Sequence, residues 1–408
     1  MKIRFPADFI FGTSTSSYQI ETAFEHDWLN ISSRDGNIFN RTTDHEKRLE
    51  EDIGIIGSLA PHYRMSLMWS KLQRRSYAQF DPAVVREYTD FLGALRAQGT
   101  EVMMVMHHFA NPRWFSESGG WENDENIGAW INFGEQLVET FGDYVSRWNT
   151  FNEPNLYTGM AYVAGEFPPF KTNFVKAKRV ITNLAEAHDL IYDIIKKRDP
   201  GKPVGISHNC TCFEAENLLG YLPAKVFDWC YMTYPEDLFK KTDFFGMSYY
   251  ARIGFDPFPV TYISSPEKLE KSGRAHDDMW EYYPAGLEEN IMRFWKKYKK
   301  PIYITENGIC TGDDTKRVSA IGDYMKALSG AMARGADVRG YYHWTAWDNF
   351  EWSLGPTFNF GLYSVDPVTM ERRKKPSAEI YAKLAFTKEI DLNGRCRQND
   401  TVRYQPFE

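Results

Sequence analysis

Short runs rich in β-branched and aromatic residues alternate along this chain with longer stretches whose apolar residues recur every three or four positions. The first pattern marks strands and the second marks helices with one buried face. Eight strands are predicted: Phe9–Ser14, His62–Trp69, Glu101–His108, Tyr144–Glu153, Pro203–Asn209, Asp243–Tyr250, Pro301–Asn307 and Val338–Thr345. Several, such as VMMVMHH and FFGMSYY, are near-continuous apolar runs. Parallel strands covered on both faces read this way.

The helices between them carry start and stop signals. Asp81-Pro82 supplies an N-cap and a first-turn proline, Val85, Tyr88, Leu92 and Leu95 form one stripe, and Gly99 closes it. Ile127, Ile131, Leu137, Val138 and Phe141 form a second stripe before Gly142. A long helix is expected over Lys171–Asp199, with Val175, Leu184, Leu190, Ile191 and Ile194 inward. Pro284 opens another, and Gly335 ends the last of the set. Eight strands alternating with about eight helices are the count of a (β/α)8 barrel, the TIM-barrel class of α/β fold. A doubly wound sheet with extra strands fits the same alternation. No Gly/Pro/Ser linker divides the chain, so residues 1–390 are expected to form one barrel. From 391 to 408 the periodicity is lost, as in a C-terminal surface extension.

Composition narrows the function. With 43% hydrophobic and 25% charged residues, the 408-residue chain has the material for an ordinary core. A net charge of −7 argues against a nucleic-acid partner, and no apolar run is long enough to span a membrane. The N-terminus lacks the pattern of a signal peptide, so a cytoplasmic location with reduced thiols is expected for the five scattered cysteines. Aromatics reach 16%, which suits a concave site that stacks on a ring-shaped ligand.

The strand ends hold the chemistry. In a barrel, active groups come from the C-terminal ends of strands. Here the second carries Arg64, the third ends in His107-His108, the fourth in Asn152-Glu153-Pro154 and the fifth in His208-Asn209. The sixth ends in Ser248-Tyr249-Tyr250, the seventh in Thr305-Glu306-Asn307 and the eighth in His343-Trp344. Alone, a strand-end Glu is more often a cap or an ion-pair partner, and Trp344, Trp347 and Trp352 could be packing. Asp348-Asn349 could simply end a strand. Two Glu on strands three apart in a closed ring, however, can converge on the axis. Glycosidic cleavage needs that pair: one carboxyl protonated for the departing oxygen, the other ionised to attack or to activate water. Arg64 would hold one ionised, and an apolar setting would raise the other.

FPADFIFGTSTSSYQIE, YRMSLMWSKL, HHFANPRW, WNTFNEP, DFFGMSYY, PIYITENG, HWTAWDNFEW and FGLYSVD, in this order, resemble the motifs of glycoside hydrolase family 1, the β-glycosidases. The resemblance runs from Phe5 to about Leu384. It implies a retaining, exo-acting β-glycosidase, most simply a β-glucosidase that also takes β-galactosides or β-fucosides. The substrate it implies is a small β-glycoside or short oligosaccharide, and no metal or organic cofactor is needed. By the same resemblance Glu153 is the general acid/base and Glu306 the nucleophile. Asn152 would meet the sugar 2-hydroxyl, and Gln19 and Glu351 the 3-, 4- and 6-hydroxyls. His108 and Trp352 would meet the 3-hydroxyl. Trp344 would form the stacking floor, and Arg64 and Tyr250 would support Glu306.

Three positions depart from the family pattern. Ser248 stands for the usual Asn, Thr22 for Gly, and Phe109 for the common Trp. Three other readings fit the motifs less well. A 6-phospho-β-glycosidase would lack Glu351 and carry a Ser and a Lys for phosphate, whereas SLGPTFNFGLY has neither Lys nor Arg. A non-catalytic sugar-binding relative would have lost one Glu. An endo-acting cellulase with an NEP strand would not be expected to carry QIE and DNFEW.

Overall fold

The structure, a computed structural model, describes residues 1–34, 36–38, 40–257, 260–263 and 266–392. Eight parallel strands close into a ring: β1 (Ile10–Ser14), β2 (His62–Ser66), β3 (Glu101–His107), β4 (Val145–Asn152), β5 (Val204–Ala215), β6 (Phe244–Pro257), β7 (Ile302–Asn307) and β8 (Val338–Trp344). The register runs from Gly12 beside His62 in β1–β2 round to Gly340 beside Ile10, where β8 rejoins β1. The fold is the (β/α)8 barrel. All eight strands overlap the predicted runs, but β2 stops at Ser66, short of the predicted Trp69, where a helical turn over Trp69–Leu72 begins.

The outer ring comprises α1 (Leu49–Leu59), α2 (Pro82–Ala97), α3 (Asn126–Phe141), α4 (Phe174–Arg198), α5 (Tyr221–Asp228), α6 (Ala285–Tyr298), α7 (Asp314–Ala333) and α8 (Pro376–Thr387). In α2, the Asp81 carboxylate accepts from the Ala83 N–H, Pro82 occupies the first turn, and Gly99 follows the helix at φ 85°. Val84, Tyr88, Phe91, Leu92 and Leu95 are buried, while the predicted Val85 is only half-buried. In α4 the correction is larger. Asn173 caps the helix, and the stripe that docks is Ala177, Val180, Ile181, Leu184, His188, Ile191 and Ile195. Val175 and Leu190, expected inward, are exposed because they lie off that i, i+3, i+4 line.

Inside the ring, Ile10, Met103, Phe244, Tyr303 and Tyr342 form a separate buried cluster toward the N-terminal half of the strands. It fills the barrel floor below the C-terminal strand ends. Gly12 belongs to this layer, since a Cβ there would lie 2.4 Å from the Tyr342 ring.

The second correction concerns β5 and β6. Both run well past the ends predicted at Asn209 and Tyr250, pairing from Gly205–Phe244 to Ala215–Phe255. They rise above the barrel as a ribbon, to which Val260–Ile263 adds a third strand, antiparallel to Gly254–Pro257 of β6. At the other end, Lys2–Arg4 pairs antiparallel with Glu389–Asp391, and Leu392 is buried. The rest of the extension expected over 391–408 lies outside the described residues. No helix among the described residues is long and apolar enough to cross a membrane.

Candidate active site

The strand-end residues converge at the mouth. Arg64, on β2, is wholly buried and holds two partners at once. Its Nη1 donates to Glu306 Oε1 at 2.6 Å and its Nη2 to Asn152 Oδ1 at 2.6 Å. The Tyr250 hydroxyl donates to the other Glu306 oxygen at 3.0 Å. Beneath them Ser207 bridges Asn149 and Thr305 at 3.0 and 2.8 Å, so β4, β5 and β7 are tied together below the site.

Glu153 has different company. It is buried and adopts φ 43°, ψ 57°, a left-handed backbone that a residue with a Cβ visits at a cost. Asn209 Nδ2 donates to its Oε1 at 3.0 Å. Asn209 is itself oriented by the Tyr231 and Thr211 hydroxyls, which donate to its Oδ1 at 2.8 and 3.0 Å. Ser248 is wholly buried between Asn209 and Glu306 in the strand register. Its hydroxyl has no hydrogen-bond partner within the protein, and it favours the ionised form of the Glu153 carboxyl.

These surroundings separate the two carboxyls. Burial, and then the charge of Glu306, push Glu153 well above the usual carboxylate range. Burial raises Glu306 too, but the Arg64 charge and hydrogen bond, then Tyr250 and Asn152, pull it back. Both carboxyls end above the usual range, Glu153 the further, so Glu306 gives up its proton first. The pair consists of one acid and one anion, which is the division glycosidic cleavage requires.

A polar and aromatic wall faces them. Asn152 uses its oxygen on Arg64, so its Nδ2 donates toward His108 Nε2, 3.1 Å away. Burial keeps His108 neutral, which puts its proton on Nδ1, and that atom has no protein partner. Trp344 and Trp352 lie roughly parallel to the His108 ring, with centroids 5.8 and 5.9 Å away. Gln19 is more committed than expected. Its Nε2 donates to Asn349 Oδ1 at 3.0 Å and to the Phe350 carbonyl at 2.9 Å, and its Oε1 accepts from Ser16. Glu351 is driven up to about 8 by burial and then by Glu306, with Gln19 acting against the shift. Asp348 is structural: its carboxylate takes Lys375 Nζ at 2.8 Å and the Gly361 N–H at 2.7 Å. Thr22 lies outside this wall, with its N–H donating to Glu46 at 2.7 Å. Phe109 packs edge-on to Trp352 at 5.0 Å.

Asn209 is the site residue that sequence reasoning left without a role. Its place at a strand end was the available signal, but its bond to Glu153 depends on how β4 and β5 are set side by side. Among the described residues no group of three or more His, Cys, Asp or Glu could hold a metal ion.

A barrel with two carboxyls at its mouth, one harder to ionise than the other, carries the pair that glycosidases use. The chain belongs to glycosyl hydrolase family 1, whose profile matches residues 1–217 and 234–390. β-Glucosidase A of Acetivibrio thermocellus is 27% identical, over 93% of this chain and 98% of that protein. A 6-phospho-β-galactosidase of Clostridium acetobutylicum is 26% identical, over 95% and 98%. Among solved structures, a β-glycosidase from Pyrococcus horikoshii superposes with a TM-score of 0.84 at 31% identity, covering 96% of this chain and 97% of that one.

Proposed function

We propose that this family 1 β-glycosidase is an exo-acting, retaining enzyme that removes terminal β-D-glucosyl residues, with β-galactosyl and β-fucosyl residues as further glycones. The observation that carries the reading is the split between Glu153 and Glu306, one protonated by burial and the other held ionised by Arg64 and Tyr250. In the first step Glu306 attacks the anomeric carbon as Glu153 passes its proton to the departing oxygen. The bond from carbon to that oxygen breaks, and the sugar is left esterified to Glu306. In the second step Glu153, now ionised, takes a proton from water, which displaces Glu306 and restores the β-configuration.

The sugar is held by the wall opposite. Trp344 stacks on its apolar face. Asn152 meets the 2-hydroxyl, His108 and Trp352 the 3-hydroxyl, and Gln19 and Glu351 the remaining ring hydroxyls. The His108 Nδ1 proton, without a protein partner, suits such a contact. A 6-phosphate is disfavoured because residues 353–363 contain no cation to bind it.

Assays on p-nitrophenyl β-glycosides with NMR of the first-formed anomer test the reading. The β-anomer should appear first, and Glu306→Ala should abolish turnover. Glu153→Gln should slow substrates with poor leaving groups by about 10²–10⁴-fold, and 2,4-dinitrophenyl glycosides far less in the first step. An α-anomer, an active Glu306→Ala, or equal slowing of both leaving groups would refute it.

A further inference from the structure

Tyr231 lies outside the two stretches that the family profile matches, yet it reaches the residue that holds the acid. It sits in Trp229–Thr233, a single π-helical turn that follows α5. Turns of this kind are frequent at functional sites. The Tyr231 ring stands edge-on to Phe213 at 5.6 Å, and its hydroxyl donates to Asn209 Oδ1 at 2.8 Å. Asn155, two positions after Glu153, ties the parts together. Its Nδ2 donates to the carbonyls of Asn209 and Tyr231 at 2.8 and 3.1 Å, and its Oδ1 accepts from the Asn209 N–H at 3.1 Å. The helix that follows Glu153, strand β5 and the turn are therefore held as one piece.

The Asn209 amide has an oxygen end and a nitrogen end, and hydroxyls decide which one meets Glu153. Tyr231 and Thr211 both donate to Oδ1, and neither hydroxyl has another acceptor among the described residues. Burial, and then the charge of Glu153, keep the Tyr231 hydroxyl protonated, so it remains a donor. Turning the amide over would set Nδ2 against both hydroxyls and leave both of their protons without an acceptor. It would also place an oxygen against Glu153 Oε1. In the arrangement seen, Nδ2 donates to that oxygen at 3.0 Å. The carbonyl oxygen of a carboxylic acid is the better acceptor, which makes Oε1 the carbonyl end of the protonated acid.

We propose that Tyr231, seconded by Thr211, is a positioning residue for the acid/base: it locks the Asn209 amide with its N–H toward Glu153 Oε1, which reserves Oε2 for the proton passed to the departing oxygen. The inference rests on Glu153 being the acid/base. The lock serves both steps. In the first it fixes which oxygen delivers the proton. In the second it supports the carboxylate that takes a proton from water, as a hydrogen bond to the charged form does. Glu306, Arg64, Tyr250 and Cys210 also face Glu153, from β7, β2, β6 and β5. Among these groups and Tyr231, only Tyr231 bonds to the Asn209 side chain.

The test is the pH dependence of kcat/KM for phenyl β-glucoside, whose leaving group needs the proton, in Tyr231→Phe, Asn209→Ala and the double variant. Tyr231→Phe keeps the ring and removes only the hydroxyl. Without the Asn209 N–H the Glu153 anion is less stable. Asn209→Ala should therefore move the basic limb up by about 0.4–1 unit, the worth of one hydrogen bond. Tyr231→Phe should move it the same way by at least half as much, and the double variant no further than Asn209→Ala. With a 2,4-dinitrophenyl glucoside, kcat of Tyr231→Phe should fall by about twofold or more, and azide should restore it. Circular dichroism checks folding, and Thr211→Val carries the same test if Tyr231→Phe does not fold. A basic limb unmoved in the folded variants, or shifts that add in the double variant, overturn the inference. A basic limb that persists in Glu153→Gln belongs to another group; the assignment of Glu153 then fails instead, and this inference falls with it.

Discussion

Arg64 and Glu306 are 242 positions apart in sequence and 2.6 Å apart in space. The guanidinium is wholly buried, and its second arm holds Asn152. One side chain thus sets both the charge of Glu306 and the direction of the Asn152 amide beside it. A planar fork can do this and an ammonium cannot.

Removing that fork should be felt first in the pH profile. Without Arg64 the Glu306 carboxyl binds its proton more tightly, so the acid limb of kcat/KM moves up. Arg64→Ala should lose about 10²-fold or more in kcat/KM at neutral pH, with part of the loss recovered as pH rises. Arg64→Lys should fall between, because it keeps the charge but not the link to Asn152. An acid limb that stays at its wild-type position in Arg64→Ala would show that this arginine does not set the nucleophile's ionisation.

Ser248 offers the complementary test on the acid. Its hydroxyl favours the ionised form of Glu153, so Ser248→Ala should raise the proton affinity of that carboxyl. One hydrogen bond is worth about 0.5–1.5 kcal/mol, which shifts a titration by about 0.4–1 unit. Glu153 must be protonated for the first step, so the basic limb of kcat/KM should move up by that amount. The second step needs Glu153 as a base and should slow. With a 2,4-dinitrophenyl substrate, where the second step limits, kcat should fall, and azide, which needs no base, should restore it. A loss that azide does not relieve would mean a purely structural role.

Glu351 links activity to stability. Its carboxyl is raised to about 8 in the folded chain, against an ordinary value of 4.5. Between those values the folded protein holds a proton that the unfolded chain has released, so this group's effect on stability worsens as pH rises through that window. Glu351→Gln should therefore melt at the wild-type temperature near pH 5 and above it near pH 9, as calorimetry at the two pH values can measure. It should also lose kcat/KM, since the amide nitrogen can only donate, whereas each carboxyl oxygen can accept. A variant that melts with the wild type at every pH would mean that the carboxyl is not held protonated by the fold.

The barrel was legible because its signals are local. The apolar runs VMMVMHH and FFGMSYY became β3 and β6, and Asp81-Pro82 and Gly99 bounded α2. Glu153 and Glu306 stood out because each ends such a run, and the distinctive order of their motifs pointed to the family. Less was legible where neighbours decide. Val175 and Leu190 have inward-type side chains but lie off the line that α4 buries. The ribbon of β5 and β6 continues past the rim through mutual pairing, to which neither strand's composition points.

By itself the sequence determined the order of elements, the apolar faces and the residue types at the strand ends, since these depend on period and spacing within one segment. Only the tertiary structure decided which carboxyl keeps its proton and that Asn209 and Ser248 attend Glu153. Ionisation depends on burial and on charges brought from distant strands, and those distances exist only once the ring has closed.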